Sequence, residues 1–419
     1  MRNAPFWWIF IGFVFLLDLY VFQVMRHLTN GSSSRVRILW HGSYWFISVL
    51  SLALLLFLPA LFSKNGSQVA RSVLFALIAG LFLAKLVAAL FFLTDDIRRA
   101  LQWSVTKIVS NKPTTGAVEQ VELISRSAFL SWAGMLAGSG LFGALAYGMG
   151  NRYRYQVKHL KLRFANLPAA FNGLRIVHIS DIHSGSFTDR SAVERGVEKI
   201  MAQSPDLILF TGDLVNNLAT EMNPYLSVFG RLRAPLGVYS VLGNHDYADY
   251  VRWDNAEDKL ANLALLKDMQ RQMGWRLLLN EQALIEKDGQ RLLLLGVENW
   301  SAKLRFPKYG DLSRAYGDGT AALFKILMTH DPSHWRAEVC EKYNDIALTL
   351  SGHTHGMQFG VELPGMRWSP VQYFYNEWAG LYELGQQKLY VNTGFGFIGY
   401  PGRVGFLPEI TLIELFSKD

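Results

Sequence analysis

The sequence predicts a chain in two parts: a four-helix transmembrane domain over residues 1–150, then an α/β layered domain over residues 151–419. Three observations carry this reading. Half of the 419 residues are apolar, and the long apolar runs are confined to the first 150. Beyond them, short β-branched runs alternate with helical or polar stretches, as layered α/β domains require. Finally, polar clusters rich in Asp, His and Gly follow strand after strand, where open α/β sheets collect ligands.

Crossing a bilayer takes about 20 apolar residues. Four segments are long enough, approximately 5–25, 40–63, 71–93 and 128–147. The first has too long an apolar core for a signal peptide, and no small-residue cleavage site follows it. Trp7 and Trp8, and Trp40 with Tyr44 and Trp45, are placed at segment ends, where aromatic rings favour the membrane interface. Gly134 and Gly138 have the spacing that lets helices approach closely. Between the third and fourth segments, "DDIRRALQWSVTKIVSN" puts Ile97, Leu101, Val105 and Ile108 opposite Arg98 and Lys107. That is the pattern of a helix lying on the membrane surface, or of a solvated connecting helix.

Two charges interrupt the apolar runs, Asp18 in "FLLDLY" and Lys85 in "FLAKLV". Each costs about 2.5–3.5 kcal/mol at the centre of a membrane helix. The first and third helices run the same way, with each charge about two-thirds along, so equal depth lets the two pair; the alternative is that Lys85 snorkels to the interface. Net charge is +7, with arginines near the apolar runs, which suits an anionic membrane surface. No nucleic-acid motif accompanies it. Basic residues fall almost equally on the two sides of the spans, so the positive-inside rule assigns no orientation. Cys340 is the single cysteine, which excludes an internal disulfide and a thiolate cage. Any metal must be held by nitrogen and oxygen.

In the second part, 175–180, 206–210, 237–242, 291–297, 324–329 and 345–350 read as buried strands, and 191–204 and 257–273 as helices. Directly after the strands come Asp181 and His183, then Asp213, then Asn244, His245 and Asp246, then His330, and lastly His353 and His355. Adjacent glycines allow sharp turns and close approach to an ion. One Asp-x-His or Gly-Asp pair means little; five clusters in this order define a site.

The order "SDIH … TGDLV … LGNHDY … MTHDP … SGHTHG" resembles the calcineurin-like metallophosphoesterases, from about residue 172 to the end. The stretch "NTGFGFIGYPGRVGFLPEITLIEL" resembles the membrane-associated branch that includes UDP-2,3-diacylglucosamine pyrophosphohydrolases. The front end is similar to transmembrane proteins carrying this domain. Met357 departs from the pattern, since relatives often have a second glycine there. The resemblance implies an α/β/β/α layered sandwich with two divalent metal ions. Asp181, His183, Asp213 and His355 would hold one, and Asp213, Asn244, His330 and His353 the other, with Asp213 bridging. Two nearby cations need a shared anion, and the neutral Asn244 adds a ligand without charge. Such donors suit Mn, Fe, Zn or Co.

His245 is the expected catalytic residue, facing the leaving group and donating a proton or stabilising its developing negative charge; the alternative is a structural histidine capping a loop. Asp246 is expected to fix the local turn, and Arg403 is a candidate phosphate clamp or a surface arginine. His178 reads as a core histidine, and Asp331 and His334 as local to a helix start. The leading function is a membrane-bound phosphoester or pyrophosphate hydrolase acting on a lipid-linked substrate such as UDP-2,3-diacylglucosamine. The aromatic stretch 365–382 would shape an acyl groove, or else pack as a lid on its own domain. The alternatives are an anchored phosphodiesterase or phosphatase for soluble or cell-wall substrates, and a non-catalytic sensor or scaffold. The expected partners are a phosphorylated substrate and membrane lipid, in a multi-pass protein of a bacterial inner membrane. The sequence assigns no oligomeric state.

Overall fold

The computed structural model describes residues 4–61, 68–109, 127–303, 306–318 and 322–418. The chain divides into two compact units, Met1–Tyr147 and Gly148–Asp419.

The first unit holds α1 (Ala4–Leu28), α2 (Ser34–Leu61), α3 (Gln68–Val109) and α4 (Ala128–Gly148). All four are long and apolar enough to cross a membrane. Two expectations are corrected here. The amphipathic stretch after residue 94 is no separate surface helix: it continues α3, whose 42 residues form one helix. At 1.5 Å per residue that is about 63 Å, twice a hydrocarbon core of roughly 30 Å. The second span starts earlier than position 40, so Tyr44 lies well inside α2 rather than at its end. Trp8 and Trp40 are exposed, while the side chain of Trp7 lies outside the described residues. Glycines 134 and 138 do mark a close helix contact. A Cβ on Gly138 would stand 2.6 Å from the Ala84 carbonyl oxygen of α3.

The two membrane charges meet. Lys85 Nζ lies 2.5 Å from Asp18 Oδ1, and both are largely buried. Ser48 and Tyr44 of α2 donate to the same carboxylate oxygen at 3.1 and 3.2 Å, and Lys85 donates to Ser48 Oγ at 2.8 Å. The cluster ties three helices where hydrocarbon offers no alternative partner. Asp18→Asn and Lys85→Met are each expected to destabilise the protein in bilayers. The double change should cost at least about 1 kcal/mol less than their sum, as coupled neighbours do. Additive losses in denaturant unfolding would show two unrelated charges.

The second unit contains two six-stranded sheets. The first runs β1 (Gln156–Phe164), β14 (Glu409–Ser417), β2 (Leu174–Ile179), β3 (Leu207–Phe210), β4 (Val238–Ser240), β5 (Arg276–Leu277). The second runs β12 (Gly380–Leu384), β13 (Gln387–Val391), β9 (Ile346–Ser351), β8 (Phe324–Met328), β7 (Gln290–Gly296), β6 (Glu281–Lys287). Strands β2 to β5 pair in parallel, as do β7, β8, β9 and β13, while β14 joins β2 antiparallel. A small hairpin, β10 (Val361–Leu363) and β11 (Met366–Trp368), stands apart.

The layering follows from which faces are apolar. Ile176, Leu207 and Leu209 of one sheet pack on Leu292, Leu294, Ile326 and Leu348 of the other. The outer face of the first sheet, with Val177, Ile179, Ile208 and Phe210, is covered by helices Arg190–Met201 (α5) and Ala256–Gln272. Leu293, Leu295 and Leu327 of the second sheet are covered by the helix Leu312–Tyr316 and by Trp335 and Val339. This is the α/β/β/α sandwich. Strands buried on both faces carry continuous apolar runs, which is why the sequence displayed them so clearly. Asp189 caps α5 by accepting from the Ala192 N–H at 3.0 Å.

Candidate metal centre

Every expected ligand sits just past the carboxyl end of a central strand. Asp181 and His183 follow β2, Asp213 follows β3, Asn244 follows β4 with the expected catalytic His245 next to it, His330 follows β8, and His353 and His355 follow β9. Both sheets therefore contribute to one place. Close strand ends demand glycine: a Cβ on Gly352 would fall 1.9 Å from Ser180 Oγ, and one on Gly243 2.2 Å from Asp213 Oδ1.

The donor atoms form two groups. Asp181, His183 and His355 have ligand atoms within 4.8 Å of one another, as do Asp213, His330 and His353. In the first, His183 Nε2 lies 3.1 Å from His355 Nε2, which is 3.2 Å from Asp181 Oδ1. In the second, His353 Nδ1 lies 3.2 Å from His330 Nε2 and 2.9 Å from Asn244 Oδ1. Asp213 Oδ2 spans them, 3.2 Å from His330 Nε2 and 3.5 Å from His183 Nε2. All seven residues expected from the sequence are brought together.

Divalent cations fit this donor set. Lone-pair atoms of two imidazoles facing each other at hydrogen-bond distance repel unless a proton or metal lies between them. Asp181, His183, Asp213, His353 and His355 all hold positive φ between 48° and 71°. Non-glycine residues pay about 1–3 kcal/mol for such backbone, which persists where surrounding structure enforces a function. Burial alone would raise the Asp213 carboxyl, yet His330, His245 and His183 hold it well below the usual carboxylate range. Burial opposes a charge on His330 too, but Asp213 lifts it to about 10. A cation would displace that proton from the same nitrogen.

Supporting contacts orient the donors. His330 Nδ1 donates to the Thr211 carbonyl at 2.7 Å, which leaves Nε2 as its ligand atom. Asp246 accepts from the N–H groups of Asp213, Gly243, Leu214 and Val215, at 2.9, 2.9, 2.8 and 3.3 Å, so it fixes the turns after β3 and β4 as expected. His245 donates Nδ1–H to the Asn216 carbonyl at 2.7 Å. Glu221 holds that loop through the Asn216 N–H at 2.6 Å. His178 is a core residue, its Nε2 2.9 Å from Thr211 Oγ1, and burial pushes it down to about 4. His334 bridges Thr329 and Glu338 at 3.0 Å each.

Two readings need correction. Arg403 is fully buried and is no phosphate clamp. Its guanidinium donates to the carbonyls of His355, Thr393 and Gly394 at 3.3, 2.7 and 3.1 Å, and to that of Gly396. It ties the turn of His355 to the chain after β13. Asp331 is not merely local: besides accepting from the Ser333 N–H at 2.8 Å, its other oxygen lies 3.5 Å from His353 Nε2. No spacing signal marked that contact, because it crosses between loops.

A cavity of about 420 Å³ opens over the cluster, lined by His183, Asp213, Asn244, His245, His353 and His355. Lys303, Phe306, Thr354, Met357, Val371, Phe374, Tyr375 and Ile398 complete its wall. Lys303 and Tyr375 were not singled out from the sequence; nothing local distinguishes them. The stretch 365–382 is divided between buried and exposed aromatic side chains. Trp378 is buried against Phe406, whereas Trp368, Tyr373 and Phe374 are exposed.

Residues 174–357 match the family described as calcineurin-like phosphoesterase. Residues 1–151 match that described as probable calcineurin-like phosphoesterase, transmembrane domain. A Danio rerio transmembrane protein with metallophosphoesterase domain is 30% identical over 62% of this chain, which spans 57% of that relative's length. The metallophosphoesterase YkuE of Bacillus subtilis is 31% identical, with 67% of this chain and 96% of that protein covered. The Escherichia coli phosphodiesterase YaeI is 26% identical over 70% of this chain and all of its own. The chain belongs to the calcineurin-like metallophosphoesterases. More particularly, it is a membrane protein of that family, with a four-helix transmembrane domain ahead of the catalytic fold.

The corrected role of Arg403 is testable. Arg403→Met should lower stability by about 3 kcal/mol or more, because several buried carbonyls lose a charged donor. Unchanged thermal unfolding with a raised KM would restore the clamp.

Proposed function

We propose that residues 151–419 are a two-metal hydrolase of phosphoester or pyrophosphate bonds, anchored by residues 1–150 to the membrane that holds its substrate. One observation carries the chemistry: a single oxygen, Asp213 Oδ2, lies within 3.5 Å of imidazoles from both donor groups. Asp181, His183, Asp213 and His355 hold one divalent cation, and Asp213, Asn244, His330 and His353 the other. Mn, Fe, Zn and Co all suit these donors. When bound, such a pair supplies an activated water and stabilises charge on phosphoryl oxygens. His245 has its Nδ1 proton committed to Asn216, so Nε2 is the atom left to face the leaving oxygen, and it gives a proton when the ring is in its doubly protonated, imidazolium form. All seven donors are present, which speaks against a non-catalytic scaffold.

The substrate reading is a lipid-linked phosphate. Leu363, Met366, Trp368, Tyr373 and Phe374 expose large apolar side chains, and Phe374 also lines the cavity. Soluble surfaces seldom expose so many in one short stretch, and this grouping suits an acyl chain or the interface of a bilayer. UDP-2,3-diacylglucosamine in a bacterial inner membrane is the specific candidate, from the resemblance of the C-terminal stretch. The second reading is an anchored phosphodiesterase or phosphatase for soluble or cell-wall substrates; a relative named as a phosphodiesterase supports the reaction class that both readings share.

Asp213→Ala should abolish hydrolysis of an aryl phosphodiester and release metal. His245→Ala should lower kcat by about 10²–10⁴-fold with metal content unchanged. Elemental analysis beside kinetics separates the two roles; a His245→Ala protein stripped of metal would make His245 a ligand. For the substrate, Leu363→Ser with Met366→Ser should slow cleavage of a diacylated substrate in vesicles about tenfold, the loss of roughly 1.4 kcal/mol of apolar burial. The aryl diester should be cleaved as before. Equal rates of the variant and the parent on both substrates would favour the soluble reading.

A further inference from the structure

We infer that Tyr375 is a positioning residue for the second donor group, relaying the Asp331 carboxylate to His353. The inference rests on the two-metal reading above. His353 enters the cluster through Nδ1, which lies 2.9 Å from Asn244 Oδ1 and 3.2 Å from His330 Nε2. An imidazole offering a lone pair at Nδ1 must carry its proton at Nε2. That Nε2 lies 2.9 Å from the Tyr375 hydroxyl. The hydroxyl in turn donates to Asp331 Oδ2 at 3.1 Å. One direction of donation satisfies the chain: Nε2–H to the Tyr375 oxygen, then its O–H to Asp331. Ligating imidazoles are commonly oriented by a carboxylate on the far nitrogen; here Asp331 Oδ2 lies 3.5 Å from Nε2, beyond a good hydrogen bond, and the phenol bridges the two at shorter distances.

The other imidazoles are held differently. His330 leans on the backbone carbonyl of Thr211, and His355 Nδ1 faces the guanidinium of Arg403 at 3.3 Å. His353 alone among the proposed imidazole ligands is oriented by the aromatic stretch. That stretch is pinned on both sides of Tyr375. Ser369 Oγ donates to the Gly356 carbonyl at 2.8 Å, and Thr354 Oγ1 donates to the Trp378 carbonyl at 2.6 Å. Between these pins, Phe374 is exposed and lines the cavity while Tyr375 reaches inward. The segment that faces the substrate therefore also sets the tautomer and tilt of one ligand.

The test uses full-length Tyr375→Phe, titrated with Mn²⁺ against a chelator and analysed for metal content after dialysis. One of two equivalents should weaken by about 10–100-fold, as on loss of such an orienting group, and the other should bind as in the parent. Unfolding of the metal-free protein should be unchanged, since the ring remains. Asp331→Asn, which keeps an acceptor for the phenol, should weaken the same equivalent less. Two unaltered equivalents would overturn the relay. So would equal weakening of both with a lower metal-free Tm, which would mark Tyr375 as a general support. If the parent itself takes up one equivalent, the two-metal reading fails, and the relay is judged on whether Tyr375→Phe weakens that one.

Discussion

Around Asp213 a set of electron-rich groups has been folded into a space that would repel them without a cation. Two buried carboxylates and four imidazoles converge there, on backbone that five of them hold at positive φ. The strain and the lone-pair repulsion are offset by the rest of the fold. Two sheets press their strand ends together, glycines remove the Cβ atoms that would keep them apart, and Asp246 gathers four N–H groups from two loops. A continuous apolar layer between the sheets gives that end of the sandwich its rigidity.

The membrane unit solves a related problem by the same means. Asp18 and Lys85 are too costly to stand alone in hydrocarbon, so each completes the other, with Ser48 and Tyr44 filling remaining valences. In both units the polar groups that matter are those whose partners come from distant parts of the chain. Coupling over such distances makes the networks specific, because every member is needed for the others to be satisfied.

The aromatic stretch shows how one segment can serve two purposes. Its inward residues, Tyr375 and Trp378, are held by His353, Asp331 and Phe406. Trp368, Tyr373 and Phe374 are exposed, and Phe374 lines the cavity. The exposed and the inward place fall on adjacent residues, Phe374 and Tyr375.

The sequence by itself determined the membrane spans, the alternating second domain, and all seven residues that converge on the site. Those features are written in local signals: apolar length, buried parallel strands, and polar clusters fixed to strand ends. It also placed Asp18 and Lys85 together, since two charges in parallel helices at similar depth have few alternatives. Local pattern misled where continuity mattered. The amphipathic run after residue 94 has the period of a surface helix, and nothing in it shows that α3 carries on unbroken. Only the tertiary structure decided that Arg403 is a buried clasp on backbone carbonyls, that Asp331 stands behind His353, and that Tyr375 joins them. The physical reason is range. An arginine among glycines reads the same whether it meets phosphate or carbonyl oxygen, and a tyrosine far along the chain acquires its partners only when separate loops are brought to one point.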